Sequence, residues 1–589
     1  MKHAVVIGLV LCIQLCAVPF AGSNQAGLQS RPNLVLIVAD DMGWGDVRSH
    51  GNDRLDTPVL DRLAADGARF NRFFVSPVCA PTRASLLTGR YHPRTGVAWV
   101  TRGLETMRSE ELTLAEALRD AGYATGCFGK WHNGAHYPHS PGGQGFDEFL
   151  GFCAGHWNNY FDTTLEHNGR PFKTNGYITD VLTDAAIAFI DKQRGRPFFC
   201  YIPYNAPHGP FQVPERYFSK YKGRGFDDKT AAIYGMVENI DDNVGRILKL
   251  LEAARLTDRT IVLFLTDNGP NGERYNGGMK GIKGSVHEGG VRVPLFIRWP
   301  GRIQPGMAVE KIAAHIDLFP TLLELCGVPM PRTLPLDGTS LVPLLKGESQ
   351  GWPERRIFTV QSRAGAMNSA LGAVRSERHR LVTDGKRSEL YDMSADPEQR
   401  KDIAGENASL VESLRSAYDA WLKDVTQNGI ERLPIQVGYP QARMVELPAP
   451  ESYFSGNLRF KGGQGWANDW ITGWQRIEDS VSWEIDVVQP GRFEVTLLFT
   501  CPERDVGSRI RVEVAGQAVE GVIGRAHDPE SLPSPDRVPR GEVYEKVWAP
   551  LTPGVLELRQ GRNWLYVKAL SKPGESVMEL KAVRLSRLD

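Results

Sequence analysis

Along the first two thirds of the chain, continuous apolar runs alternate with segments of helical spacing. Leu34 to Ala39 is one such run and ends in Asp40-Asp41; Pro197 to Pro203 and Thr260 to Thr266 are two more. Unbroken apolar strands are those buried on both faces of a sheet. Between the runs, Thr57 to Gly67, Glu110 to Ala121, Asp180 to Arg194 and Tyr234 to Ala254 read as helices. This alternation over residues 31–335 predicts an α/β unit, a mostly parallel central sheet with helices on both faces. After Pro335 the pattern changes. Ile357 to Val360, Ala373 to Val374 and His379 to Val382 predict short antiparallel strands, and Leu410 to Lys423 a closing helix. Residues 336–430 are thus expected to form a small α+β subdomain. Residues 431–450 are rich in Pro and show neither period, so they predict a linker. From 451 to 589 the period is two: Trp483, Ile485 and Val487, then Phe493, Val495, Leu497 and Phe499, then Ile510, Val512 and Val514. Such strands, parted by Pro-Gly and Gly-rich turns, predict a separate β-sandwich.

Composition changes this picture in three places. Among 589 residues, 69 basic and 69 acidic side chains balance. A neutral chain has no overall pull toward nucleic acid or an anionic membrane, so neither partner is expected, and any anion site must be local. Residues 1–22 have Lys2 and His3 ahead of an apolar run from Ala4 to Leu15, with small residues around Ala21. That is the form of a cleaved signal peptide, which implies a secreted or periplasmic protein; an uncleaved anchor is the competing reading. No later stretch is long and apolar enough to predict a membrane span. Of eight cysteines, six follow the leader: Cys79, Cys127, Cys153, Cys200, Cys326 and Cys501. Export permits disulfides, but the spacing assigns no pair.

The candidate chemistry begins at the strand ends. The first run ends in Asp40-Asp41 and the third in Asp267-Asn268-Gly269. In open α/β sheets, ligands bind beyond the carboxyl ends of the strands, so both pairs are expected in one cleft. Three carboxylates and an amide are hard oxygen donors, which suit calcium first and magnesium second. A single acid pair would be an ordinary helix cap. Two pairs on matching strand ends direct the reading to a cation.

Between them stands Cys79-Ala80-Pro81-Thr82-Arg83, followed by Ala84-Ser85-Leu86-Leu87-Thr88-Gly89-Arg90. This segment resembles the signature of the type I sulfatases, Cys-x-Pro-x-Arg and a short helix ending in Thr-Gly-Arg. Further blocks similar to that family follow in its order: Gly129-Lys130-Trp131-His132, Ala206-Pro207-His208, Thr266-Asp267-Asn268-Gly269, and Lys283-Gly284 ahead of Glu288-Gly289-Gly290. The resemblance covers roughly residues 31 to 425. It implies an alkaline-phosphatase-like fold and hydrolysis of sulfate monoesters. It also implies that a formylglycine-generating or anaerobic sulfatase-maturating enzyme converts Cys79 to Cα-formylglycine (3-oxoalanine).

On that resemblance, one calcium ion would be held by Asp40, Asp41, residue 79, Asp267 and Asn268, and Arg83, Lys130 and Lys283 would face the sulfate. The hydrated aldehyde would attack sulfur and form a covalent sulfoenzyme. His208 would serve the leaving group, and His132 would take the proton that lets the intermediate collapse. Lys280-Gly281 duplicates Lys283-Gly284 three residues earlier, so Lys280 stands as the alternative to Lys283. His156 and Asn158, in Gly155-His156-Trp157-Asn158-Asn159, are candidate substrate contacts, with loop packing as the competing explanation.

The expected substrate is a sulfated carbohydrate. The sandwich, where Trp466, Trp470, Trp474 and Trp483 crowd together, is a candidate sugar-binding module, with core filling as the competing reading, favoured for Trp483 because it alternates with core positions. Two alternatives stay open. One is a phosphate or phosphonate monoester hydrolase of the same fold. The other is a non-catalytic glycan-binding protein.

Overall fold

The computed structural model describes residues 31–589; the predicted leader lies outside the described residues. Four parallel strands form the middle of a ten-stranded sheet: β1 (Asn33–Ala39), β2 (Ala124–Lys130), β3 (Phe198–Pro203) and β4 (Thr260–Thr266), in the order β4-β1-β3-β2. All their residues are buried, as unbroken apolar runs require. Glu148–Phe152 adds a further parallel strand beside β2, and the sheet turns antiparallel at Leu295–Arg298 on one flank and at Thr164–His167 and Arg170–Lys173 on the other. One face packs against Cys79–Thr88, Leu114–Asp120 and Leu318–Leu325. The other packs against Pro58–Ala65, Ile178–Lys192, Glu215–Gly223 and Asp228–Ala253.

Caps explain where two helices depart from the expected bounds. The helix expected from Glu110 starts at Leu114, because the Thr113 hydroxyl accepts from the Glu116 amide and the Glu116 carboxylate reciprocates. The helix expected from Tyr234 starts a turn and a half earlier, at Asp228, where Asp227 accepts from the Thr230 amide.

In the subdomain, Ile357–Arg363, Ala366–Arg375, His379–Thr383 and Ser388–Asp392 form an antiparallel sheet. The helix Ala408–Val425 lays Leu414, Tyr418 and Trp421 against it. The stretch expected as a linker carries two strands. Ile435–Val437 pairs with Ser480–Val487, and Met444–Pro448 pairs with Glu579–Arg587, one strand in each sheet of the sandwich. Runs of three and five residues are too short for a period to show.

The sandwich itself is two six-stranded sheets over one core. Trp474 and Trp483 are fully buried in it and Trp470 is 2% exposed, so three of the four clustered tryptophans fill the core rather than offer a face to sugar. Trp483 also donates its Nε1–H to the Pro448 carbonyl at 2.9 Å, stapling the early strand to the core. Trp483→Ala should destabilise the sandwich by about 3–5 kcal/mol, read from urea unfolding. A loss under about 1 kcal/mol would contradict the core role.

Candidate active site

The carboxyl ends of β1 to β4 converge on one place. Ala39 and Thr266 are register partners, so the acids that follow them lie side by side. The Asp41 amide donates to Asp267 Oδ1 at 3.2 Å, and the Asp40 amide donates to the Ala206 carbonyl at 3.0 Å. The second bond ties the end of β1 to the loop that carries His208. β2 ends on Lys130, with His132 two residues on.

The fourth wall is the helix α1 (Cys79–Thr88), every residue of which is buried. Its start is fixed by Thr82, whose hydroxyl accepts from the Ser76 amide and donates to the Ser76 carbonyl. Asn133 adds a bond from its amide to the Ala80 carbonyl at 3.0 Å. Its end requires Gly89: φ is +70°, and a Cβ there would meet Phe319 Cβ at 2.9 Å. Cys79 therefore sits, 2% exposed, at a helix start that points into the cleft.

Charges in this cleft are paired and dry. Arg83, one turn after Cys79 and fully buried, donates from Nε and Nη2 to Asp267 Oδ2 at 3.1 and 2.7 Å, and lies 3.7 Å from Asp40. Burial works against its charge, but Asp267 and Asp40 outweigh that and hold it protonated. Lys130 Nζ donates to Asp40 Oδ2 at 2.6 Å. Lys283 Nζ reaches Asp41 Oδ1 at 2.6 Å and Oδ2 at 2.9 Å. Burial opposes ionisation of Asp41, yet the charge of Lys283 and the bond from Asn268 hold its carboxyl far below the usual range. Asp267 moves the other way, because burial and the Asp40 charge raise it.

Three acids thus face three cations, and the site is near neutral as it stands. Lys280, the alternative to Lys283, is elsewhere: it donates to Tyr391 Oη at 2.8 Å and pairs with Glu389.

Two oxygens in this set have no hydrogen-bond donor. Asp40 Oδ1 and Asn268 Oδ1 are both buried and unpartnered, while the Asn268 amide nitrogen is used on Asp41 Oδ1 at 2.9 Å. Buried acceptors without donors are costly unless a cation satisfies them. Asp40, Asp41, Cys79 and His208 place one ligand atom each within 4.8 Å of one another. Asp267 is not in that group; its carboxylate accepts from Arg83 and from the Asp41 amide. The oxygens of Asp40, Asp41 and Asn268 suit a hard divalent ion, which takes oxygen ligands.

Both histidines are neutral and oriented. His208 donates Nδ1–H to the Gly209 carbonyl at 2.6 Å, which leaves its Nε2 lone pair 3.7 Å from Asp41 Oδ2. Two acceptors so placed call for a cation or a donor between them. His132 donates Nε2–H to the Val100 carbonyl at 2.9 Å, leaving Nδ1 buried and unpartnered. Burial, then the charge of Lys130, keeps its ring well below the usual imidazole range. The loop of His156 and Asn158 packs against it: a Cβ on Gly155 would lie 2.7 Å from His132 Nε2.

His156 lies parallel to His208, with ring centroids 6.4 Å apart and an interplanar angle of 5°. Asn158, expected as a substrate contact, has its amide engaged instead: Nδ2 donates to Glu545 at 3.0 Å and Oδ1 accepts from Arg540 at 3.1 Å. Arg540 and Glu545 come from the sandwich. No local sequence signal links positions so far apart, and sequence reasoning missed both. It also missed Asn271, which donates to Asp41 Oδ2 at 3.0 Å.

Comparison with known proteins gives the family. The family model described as Sulfatase matches residues 32–328. A second, described as N-sulphoglucosamine sulphohydrolase, C-terminal, matches residues 282–426. The chain is 34% identical to N-acetylgalactosamine-6-sulfatase of Canis lupus familiaris over 364 residues, 56% of this chain and 68% of that protein. It is 34% identical to arylsulfatase A of Homo sapiens over 404 residues, 62% of this chain and 77% of that protein. Among solved structures, Ps i-CgsB in complex with k-i-k-neocarrahexaose is similar at 30% identity and a TM-score of 0.65, covering 68% of this chain and 95% of that one. The chain belongs to the sulfatase family and is a sulfuric ester hydrolase.

Proposed function

We propose that this protein removes sulfate from a carbohydrate outside the cytoplasm, with a calcium ion held by Asp40, Asp41, Asp267 and Asn268 and with Cys79 converted to formylglycine. The observation that carries the proposal is the pair of buried oxygens, Asp40 Oδ1 and Asn268 Oδ1, left without donors beside a charge-balanced set of acids and bases. The state of Cys79 as a thiol supports the conversion. Burial pushes it up to about 11, so an unmodified Cys79 is protonated at neutral pH and is a poor nucleophile. The similarity to an N-acetylgalactosamine-6-sulfatase, and to a structure that holds an oligosaccharide, supports the substrate class.

When bound, the ion adds two positive charges to a balanced site, and the hydrated aldehyde at position 79 supplies the attacking hydroxyl. The remaining work falls to the chain's own side chains. Lys130 and Lys283 offer ammonium hydrogens to the sulfate oxygens. His208, 12% exposed at its side chain, stands on the open side, where the leaving alcohol departs. His132 Nδ1 offers a lone pair that accepts a proton. Arg83 keeps Asp267 and the start of α1 together.

The test compares aryl sulfate, phosphate and phosphonate monoesters, with and without exhaustive chelation. Sulfate is expected to turn over fastest, and chelation to remove activity that calcium restores. Full activity in protein shown by elemental analysis to hold no metal would defeat the calcium site. Faster phosphonate cleavage would favour the alternative hydrolase.

A further inference from the structure

The sandwich does not stand apart from the cleft. Between its strands Gln517–Val522 and Ala549–Leu558 runs a long excursion without regular structure, and it lies on the catalytic unit. Arg537 donates its amide to the Phe211 carbonyl at 3.0 Å and its guanidinium to the Val213 carbonyl at 3.1 Å. Gln212 donates to Ser534 and Asp536 at 2.8 and 2.7 Å. Arg540, its side chain 3% exposed and paired with Asp536, donates to the Asn158 carbonyl at 2.9 Å. A second contact is made from another side, where Thr101 donates to the Gly465 carbonyl at 2.6 Å. Thr101 follows Val100, the residue whose carbonyl orients His132.

These contacts bring polar groups of the sandwich to the loop of His156. Glu545 Oε2 accepts from Asn158 at 3.0 Å and lies 3.4 Å from Lys581 Nζ. Lys581 Nζ donates to the Asn468 carbonyl at 2.6 Å and sits 5.6 Å from the Trp548 ring centre. The charges of Arg540 and Lys581 also reach His156, adding to burial, His208 and Lys130 in holding that ring well below its usual range. Two groups here are buried with no partner: His156 Nε2, on a residue 6% exposed, and Asn468 Nδ2. An imidazole nitrogen, an amide N–H and a half-buried ammonium beside a carboxylate make a mixed set of donors and acceptors. Such a set suits a polyhydroxylated unit bearing some negative charge better than a bare anion.

We propose that the sandwich is part of the substrate site, with His156, Asn468 and Lys581 binding the sugar unit adjacent to the one that carries the scissile sulfate. The inference rests on the carbohydrate reading of the substrate. It gives the sandwich the role of a second cleft wall that selects the leaving-group side, rather than a remote sugar-binding module.

The test uses the full chain. In a Cys79→Ala background, binding of k-i-k-neocarrahexaose and of a 6-sulfated N-acetylgalactosamine oligosaccharide is measured by calorimetry, with and without Lys581→Ala or Asn468→Gly. Glycine suits the left-handed backbone at Asn468, where φ is +70°. For whichever sugar binds, each substitution should raise Kd at least about tenfold, roughly 1.4 kcal/mol. In the active chain, the ratio of kcat/KM on that sugar to kcat/KM on an aryl sulfate should fall by a similar factor. Unchanged Kd and ratio would overturn the proposal, as would an equal loss on sugar and aryl ester, which marks a purely structural role. A protein that cleaves aryl sulfate but neither binds nor cleaves any sugar of a broad sulfated panel overturns the carbohydrate reading, and this inference with it.

Discussion

Cys79→Ala should leave a folded protein that hydrolyses no sulfate ester above background. The substitution removes one sulfur atom from a packed helix start, so the fold loses little: the backbone bonds from Thr82 and Asn133 that hold this turn do not involve the side chain. What is lost is the atom on which the nucleophile is built. Removing the nucleophile of a hydrolase costs on the order of 10⁴- to 10⁶-fold in turnover. The measurement is kcat/KM on an aryl sulfate, beside an unfolding midpoint within a few degrees of the parent. Retained turnover would refute the role of residue 79, and mass spectrometry of its peptide in the parent protein would show whether the aldehyde is present.

Lys283→Ala should lower kcat/KM by about 10²- to 10³-fold, the scale seen when one fixed donor to developing negative charge is removed. Two effects add here. The sulfate loses an ammonium partner, and Asp41 loses the cation that chiefly offsets its burial. Lys280→Ala should change activity less than about threefold, because its ammonium is held by Glu389 and Tyr391 on a partly exposed face. The two lysines stand in nearly identical Lys-Gly dipeptides, so the pair of variants separates position from composition. Equal effects would sink the assignment.

Much of the site was legible because it hangs on strands whose signal is strong. The unbroken apolar runs of β1 and β4 fixed where Asp40, Asp41, Asp267 and Asn268 would fall, and parallel pairing in register did the rest. β2 was harder. Its sequence Ala-Thr-Gly-Cys-Phe-Gly-Lys holds two glycines, which dilute the strand pattern, so Lys130 was found through its motif rather than its strand. The clustered tryptophans were ambiguous, since an indole that fills a core and one that stacks on sugar are the same letter; strand period placed Trp483 in the core, and burial placed Trp470 and Trp474 there too. The strands at 435–437 and 444–448 were missed because each is shorter than the window a period needs. Arg540, Glu545 and Lys581 were out of reach for another reason. Their bearing on the cleft comes from tertiary packing between distant parts of the chain, and nothing local encodes it.

The burial of α1 sets an order of events for making the protein. With Cys79 only 2% exposed and all ten residues of its helix enclosed, no second enzyme can reach that side chain once the chain has folded. If Cys79 is converted as proposed, its burial requires the oxidation to happen on a nascent or extended segment, before folding encloses the thiol. On that proposal, each molecule that folds first would keep its sulfur and stay inactive. The active fraction of a preparation is then decided by a race between two rates, not by the stability of the finished fold.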